Sequence, residues 1–171
     1  MDYFELIRRR RSVRVFARKP VEDAKLEQIL EAARSAPSAG NLQAYEIYVA
    51  RRPEVRSALA AAALGQDFIR QAPVALVFCT NAARSSSRYG ERGSRLYTVQ
   101  DATIACTFAM LAAADLGLGS VWVGAFRDEE VWRAIGSPRG HQPAAILPIG
   151  YPGETPEPTG RRPLAEFVHW L

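Results

Sequence analysis

The sequence predicts a sandwich of helices on a central sheet, of the α/β or α+β class, and three observations carry that expectation. Four short apolar runs, at residues 45–50, 74–80, 120–126 and 144–149, have the patterning of half-buried or fully buried strands. Stretches with apolar residues at helical spacing separate them, so strands alternate with helices. The longest helical stretch, residues 96–116, has no charge among the 13 residues between Asp101 and Asp115, and a helix without a polar face must be covered on all sides. At 171 residues, 48% hydrophobic and 23% charged, the chain has the composition of a globular protein and a length near the ~150 residues of one domain.

In chain order, Phe4, Leu6 and Ile7 give residues 2–10 near-helical spacing, and Val13, Val15 and Phe16 suit an extended segment after a run of arginines. Pro20 precedes a helix with Leu26, Ile29, Leu30 and Ala33 on one face, and Pro37 ends it at the preceding residue. Residues 37–43, Pro-Ser-Ala-Gly-Asn-Leu-Gln, read as a loop in which Gly40 and Asn41 tolerate left-handed backbone. Tyr45 begins an alternating strand, Pro53 opens an Ala-rich helix to Leu64, and residues 74–80 suit a central strand. Residues 81–96 hold Ser85, Ser86, Ser87, two glycines and four arginines, and are expected to be a mobile loop. Gly117-Leu118-Gly119 stops the long helix; a buried strand at 120–126, a short helix at 128–135 and a fourth strand at 144–149 follow. Pro152, Pro156, Pro158 and Pro163 then exclude a helix until the last residues, so 151–171 is expected to be a C-terminal arm of a single 1–171 domain, lying across another surface.

The net charge of +4 is concentrated. Residues 1–19 hold Arg8, Arg9, Arg10, Arg11, Arg14, Arg18 and Lys19 against Asp2 and Glu5, and the rest of the chain is nearly neutral. A nucleic-acid arm, an anion site and a solvated face all fit such a cluster, but the interleaved Val13, Val15 and Phe16 imply a folded backbone that aims the arginines. His141 and His169 have no ligand-spaced partner, so no metal site is expected. Cys79 and Cys106 lie inside apolar runs and read as buried hydrophobes rather than a disulfide. Gly117, Gly119 and Gly124 follow a helix and precede a strand, with Trp122 where a dinucleotide turn would need glycine. Asp128-Glu129-Glu130 complements a helix start. The uncharged runs fall short of the ~18 apolar residues that span a bilayer, and a cytoplasmic protein with no membrane or nucleic-acid partner is expected.

Three scattered segments, Arg10-Arg11-Ser12-Val13-Arg14, residues 37–43 and residues 117–126, resemble in this order the FMN-binding segments of the nitroreductase family. Val99-Gln100-Asp101-Ala102 is similar to the opening of that family's dimer helix, and Gly150-Tyr151-Pro152 with Arg161-Arg162-Pro163-Leu164 to its closing pattern. The resemblance covers nearly the whole chain. Two departures stand out: Ala44 and Tyr45 occupy positions where the family commonly has Pro and Trp, and only 17 residues separate Phe126 from Ala144. The resemblance implies a nitroreductase-like α+β fold with a central mixed sheet, and a homodimer that binds FMN and uses NADH or NADPH. It implies ping-pong hydride transfer to a small-molecule acceptor such as a nitroaromatic or a quinone. Flavin destruction and reductive dehalogenation are the alternatives within the family, and a nucleic-acid-binding module is the alternative outside it.

The implied roles suit the residues. Arg10 and Arg162, with Arg161 and Arg11 beside them, match the FMN phosphate, which guanidinium groups meet with paired charge-assisted hydrogen bonds. Ser12 supplies a hydroxyl. Arg14 lies near the flavin pyrimidine edge, where a fixed cation favours the reduced state. Pro37, Ser38, Asn41 and Gln43 belong to the loop that meets ribityl hydroxyls and ring heteroatoms, the backbone N–H of Gly124 meets flavin N5, and Val123 is a further cofactor contact. No side chain is expected to act as an obligatory acid, base or nucleophile.

Overall fold

The computed structural model describes residues 2–171. Helix α1 (Tyr3–Arg9) is capped by Asp2, whose carboxylate accepts the Glu5 N–H at 2.9 Å, and it buries none of its residues. Helix α2 (Asp23–Arg34) turns Leu26, Ile29 and Ala33 inward, as their spacing predicts. Then come β1 (Tyr45–Ala50), α3 (Pro53–Ala62), α4 (Phe68–Gln71) and β2 (Val74–Asn81). Helix α5 (Ala82–Arg92) runs through a π-helical turn at Gly93–Tyr97 into α6 (Thr98–Asp115). Strand β3 (Gly119–Ser120), helix α7 (Asp128–Ala134) and strand β4 (His141–Gly150) complete the domain.

The sheet order is β1-β2-β4-β3, and every pairing of these strands is antiparallel. The parallel component of the expected mixed sheet is one bridge, from Ser12 to Ser120. Strand β2 lies inside the sheet, and its side chains alternate between two cores, as a strand covered on both faces requires. Leu76 and Phe78, with Leu147 and Ile149 of β4, pack on Ile29, Ala33, Ala105, Ala109 and Ala113. Ala75, Val77 and Cys79 pack on the other side with Leu59, Ile69 and Val131. The small residues of α6 let that helix approach the sheet. By length and composition the continuous run 82–115 reaches what a membrane span needs, but α6 packs on α2, β2 and β4 here.

Two expectations are corrected. Residues 81–96 are not a loop but α5 and part of the π turn. Asn81 caps α5 by accepting the Arg84 N–H at 3.1 Å, and Ser86 and Ser87 bond back to the carbonyls of Ala83 and Arg84, so these two hydroxyls are satisfied within the helix, whereas the Ser85 hydroxyl is buried without a partner among the described residues. Low apolar content there marks a solvent face. Residues 120–126 are a strand only at Gly119–Ser120, followed by a single bridge between Val123 and Ile146. The chain needs these residues to leave the sheet before α7, and the Gly124 backbone is released by that departure.

Candidate functional site

Two groups of residues singled out by the sequence are built at opposite ends of α6. The first is basic. After α1, the Arg10 N–H donates to the Leu6 carbonyl at 2.9 Å, and the chain then runs extended. Val13 N–H donates to the Ser120 carbonyl at 3.0 Å, and Ala17 N–H to the Tyr151 carbonyl at 2.9 Å. This approach depends on Gly119, where a Cβ would come within 2.8 Å of the Val13 side chain. On the opposite side, Glu154 Oε1 accepts the Arg14 N–H at 2.6 Å and the Val15 N–H at 3.0 Å. The segment that carries Ser12 and Arg14 is thus clamped between the sheet edge and the tail.

The arginines divide by what they touch. Arg11 Nη1 donates to the carbonyls of Arg8 at 2.5 Å and Arg10 at 2.9 Å, which closes the end of α1. Arg162 lies over the Phe167 ring at 5.2 Å, so it is Arg161, not Arg162, that comes into electrostatic reach of Arg10. Arg161 also donates to Thr159 Oγ1 at 2.9 Å and the Gly160 carbonyl at 3.0 Å. Arg10 is half-buried, and its guanidinium has no acceptor among the described residues. Burial, then Arg161, then Arg11 lower its pKa. Like charges gathered in this way raise each other's energy, and an anion relieves them. A groove of 530 Å³ opens beside them, between Arg8–Arg11, the 117–120 turn and residues 152–158 of the tail.

Gly124 is exposed. A Cβ there would meet only the Trp122 indole, at 3.5 Å from Nε1, so space remains above the backbone. Val123 does not share this role, because its N–H and C=O both pair with Ile146 at 2.9 Å. The Gly124 N–H has no acceptor among the described residues, while Gln66 Nε2 fixes the next carbonyl, Ala125, at 3.2 Å. The Arg10 guanidinium, in a groove that Asp115, Glu154 and Glu157 also line, and the Gly124 N–H beside open space fit a flavin phosphate and ring.

The second group is the loop 37–43. Ser38 Oγ accepts the Gln43 N–H at 2.9 Å, and Gln43 Nε2 reaches the Asn41 carbonyl at 3.2 Å. Gly40, Asn41 and Gln43 have φ of +57°, +57° and +49°, a conformation that costs a non-glycine residue on the order of 1 kcal/mol. Two residues of α6 that were not among the expected site residues sustain it. The buried Asp101 accepts the Ala39 N–H at 3.0 Å and the Ala44 N–H at 3.2 Å, and Thr98 Oγ1 donates to the Ala44 carbonyl at 2.7 Å. Pro37 and Asn41 remain exposed. The signal for Asp101 was present in the sequence as the carboxylate that opens a helix with no further charge before Asp115.

Arg10 lines the groove at Asp115, whereas the loop is bonded to Asp101, and fourteen residues of α-helix separate these anchors by roughly 21 Å. Within one chain the two groups do not converge.

The profile of the Nitroreductase family matches residues 7–66 and 61–151. The chain belongs to the nitroreductase family. This nitroreductase-family protein is 31% identical over 189 residues to a protein of Thermus thermophilus named NADH dehydrogenase, covering 95% of this chain and 92% of that one. It is 33% identical over 172 residues to an FMN reductase [NAD(P)H] of Bacillus subtilis, covering 93% of this chain and 69% of that one. Its fold superposes on the NADPH:FMN oxidoreductase of Vibrio harveyi complexed with NAD+ at a TM-score of 0.89, with 28% identity, covering 98% of this chain and 76% of that one. The α+β, nitroreductase-like fold is therefore the one that the family expectation described.

Proposed function

We propose that this nitroreductase-family protein is a cytoplasmic, homodimeric, FMN-dependent NAD(P)H oxidoreductase. Its acceptors are nitroaromatic, quinone or related electron-poor molecules, reduced by a ping-pong route, and residues 151–171 act as an arm of its single domain. The observation that carries this reading is the half-buried Arg10 guanidinium, surrounded by Arg161 and Arg11 and lacking an anion. The names of the Bacillus and Vibrio relatives support FMN and a nicotinamide nucleotide as its partners.

Arg10 and Arg161 would hold the phosphate, Ser12 would add a hydroxyl, and the Gly124 N–H would meet the ring. Bound FMN supplies the hydride chemistry, taking two electrons from the nicotinamide and delivering them to the acceptor. The chain's own residues bind and orient. His141 is engaged by the Tyr48 hydroxyl at 2.6 Å, and both cysteines are fully buried, so none of them is placed as an acid, base or nucleophile.

The separation of the two residue groups along α6 supports a dimer. A second copy packed antiparallel along α6 brings the 37–43 loop of one protomer to the Arg10 end of the other. Val99 and Phe108 of α6 are 43% and 37% exposed, and Tyr3 and Phe4 of α1 are exposed too, which leaves apolar surface for that partner to cover.

Titration of the protein with FMN and with riboflavin tests the reading. Two charge-assisted contacts imply FMN binding on the order of 100-fold tighter than riboflavin. Arg10→Glu removes the preference, while Arg8→Glu, on an exposed residue, leaves it in place. Equal affinity for the two flavins would refute the assignment.

A further inference from the structure

Helix α5 packs directly on the 37–43 loop. A Cβ on Gly40 would collide with the Tyr89 hydroxyl and lie 3.0 Å from Arg88 Nη1, so these two side chains fill the space that a residue 40 side chain would take. Arg84 Nε holds the same loop through the Leu42 carbonyl. The Tyr89 ring is fixed edge-on against Tyr97, with centroids 5.1 Å apart, and the Arg88 guanidinium lies over the Tyr89 ring at 5.5 Å.

The four arginines of this stretch are not equivalent. Arg84 is bonded to Leu42, Arg92 Nε to the Tyr97 hydroxyl at 3.0 Å, and Arg95 to Glu91 at 2.7 Å. Arg88 has no carboxylate or hydrogen-bond acceptor among the described residues, and the Tyr89 hydroxyl has no hydrogen-bond partner there. Both are the side chains that touch Gly40. A free cation and a free phenol are therefore presented together at the loop, on a ring that aromatic packing holds in place.

We infer that Arg88 and Tyr89 form the acceptor's docking wall, selecting electron-poor aromatic acceptors that carry an anionic group such as a carboxylate. This rests on the flavin reading, in which the 37–43 loop of one protomer borders the ring bound by the other. Arg88 pairs with the anionic group, and the Tyr89 hydroxyl donates to an oxygen of the acceptor. Tyr89 also explains the glycine: a side chain at residue 40 would displace the phenol from the loop.

The test compares 4-nitrobenzoate with the neutral 4-nitrobenzyl alcohol in wild-type holoenzyme, in Arg88→Met and in Tyr89→Phe. Losing one charge-assisted contact should lower the ratio of kcat/KM for the anionic over the neutral acceptor about tenfold in Arg88→Met. The Kd of benzoate for the oxidised holoenzyme, read from the flavin absorption bands, should rise by a similar factor. In Tyr89→Phe, kcat/KM should fall for both acceptors. FMN affinity, measured on the same preparations, reports separately on the flavin reading. An unchanged acceptor ratio in Arg88→Met with FMN still bound overturns the inference and leaves that reading intact. A change confined to the NADPH over NADH preference also overturns it, because it would assign the cation to a coenzyme phosphate.

Discussion

Arg14 is held by its backbone rather than by its side chain. Its N–H is bound to Glu154, while its exposed guanidinium is left to face whatever occupies the site. If that is the flavin pyrimidine edge, removing the cation makes reduction harder. With FMN saturating, Arg14→Ala should shift the flavin midpoint potential to more negative values in a redox titration. An unchanged or more positive potential would remove Arg14 from that edge. The cysteines make a different claim. Burial, with a smaller effect of Glu46, pushes the Cys79 thiol up to about 12 from 9.0, and burial raises Cys106 as well. Above pH ~9 the unfolded chain therefore releases thiol protons that the folded chain retains, so stability falls as pH rises from there towards 12. Urea midpoints at pH 8 and pH 10 should differ less in a Cys79→Ala, Cys106→Ala double variant than in wild type.

The loop 37–43 and α6 act as one element because Asp101 joins them. Asp101→Ala leaves the buried Ala44 N–H without its acceptor and frees the left-handed turn, at a cost of about 2–4 kcal/mol in urea denaturation. FMN affinity should fall with it. A loss of stability with unaltered flavin affinity would show that the loop does not meet the cofactor. How much of this was legible beforehand depends on what kind of interaction made each element. Helix α2 and strand β2 follow from apolar spacing and could be read directly, as could the left-handed propensity of Gly40 and Asn41. Helix α5 could not, because two of its serines, Ser86 and Ser87, bond to its own carbonyls and its contacts with Gly40 and Leu42 are long-range. In the basic segment, residue types pointed to an anion site, but they did not divide the labour among Arg10, Arg11, Arg161 and Arg162. That division is set by the carbonyls at the end of α1 and by Phe167, which only the folded chain brings within reach.

At the scale of the whole molecule, α6 is both the core helix and the axis of the proposed assembly. Phe108→Glu places a charge on its partly exposed face, and sedimentation should show loss of the dimer together with loss of bound FMN. Circular dichroism separates that outcome from unfolding of the core. A flavin-loaded monomer would sink the shared-site arrangement. Because Arg10 and Gly40 stand at opposite ends of one helix, each proposed flavin site takes the arginine from one protomer and the loop from the other. Two inactive chains can then repair each other. An Arg10→Glu homodimer and a Gly40→Trp homodimer each carry two defective sites, but a mixed dimer gathers both defects into one site and leaves the other wild-type. Refolding the two variants together at equal concentration should restore about a quarter of the wild-type sites, the yield of random pairing about a two-fold axis. In a cell carrying both alleles the same pairing would appear as complementation between two mutations of a single gene.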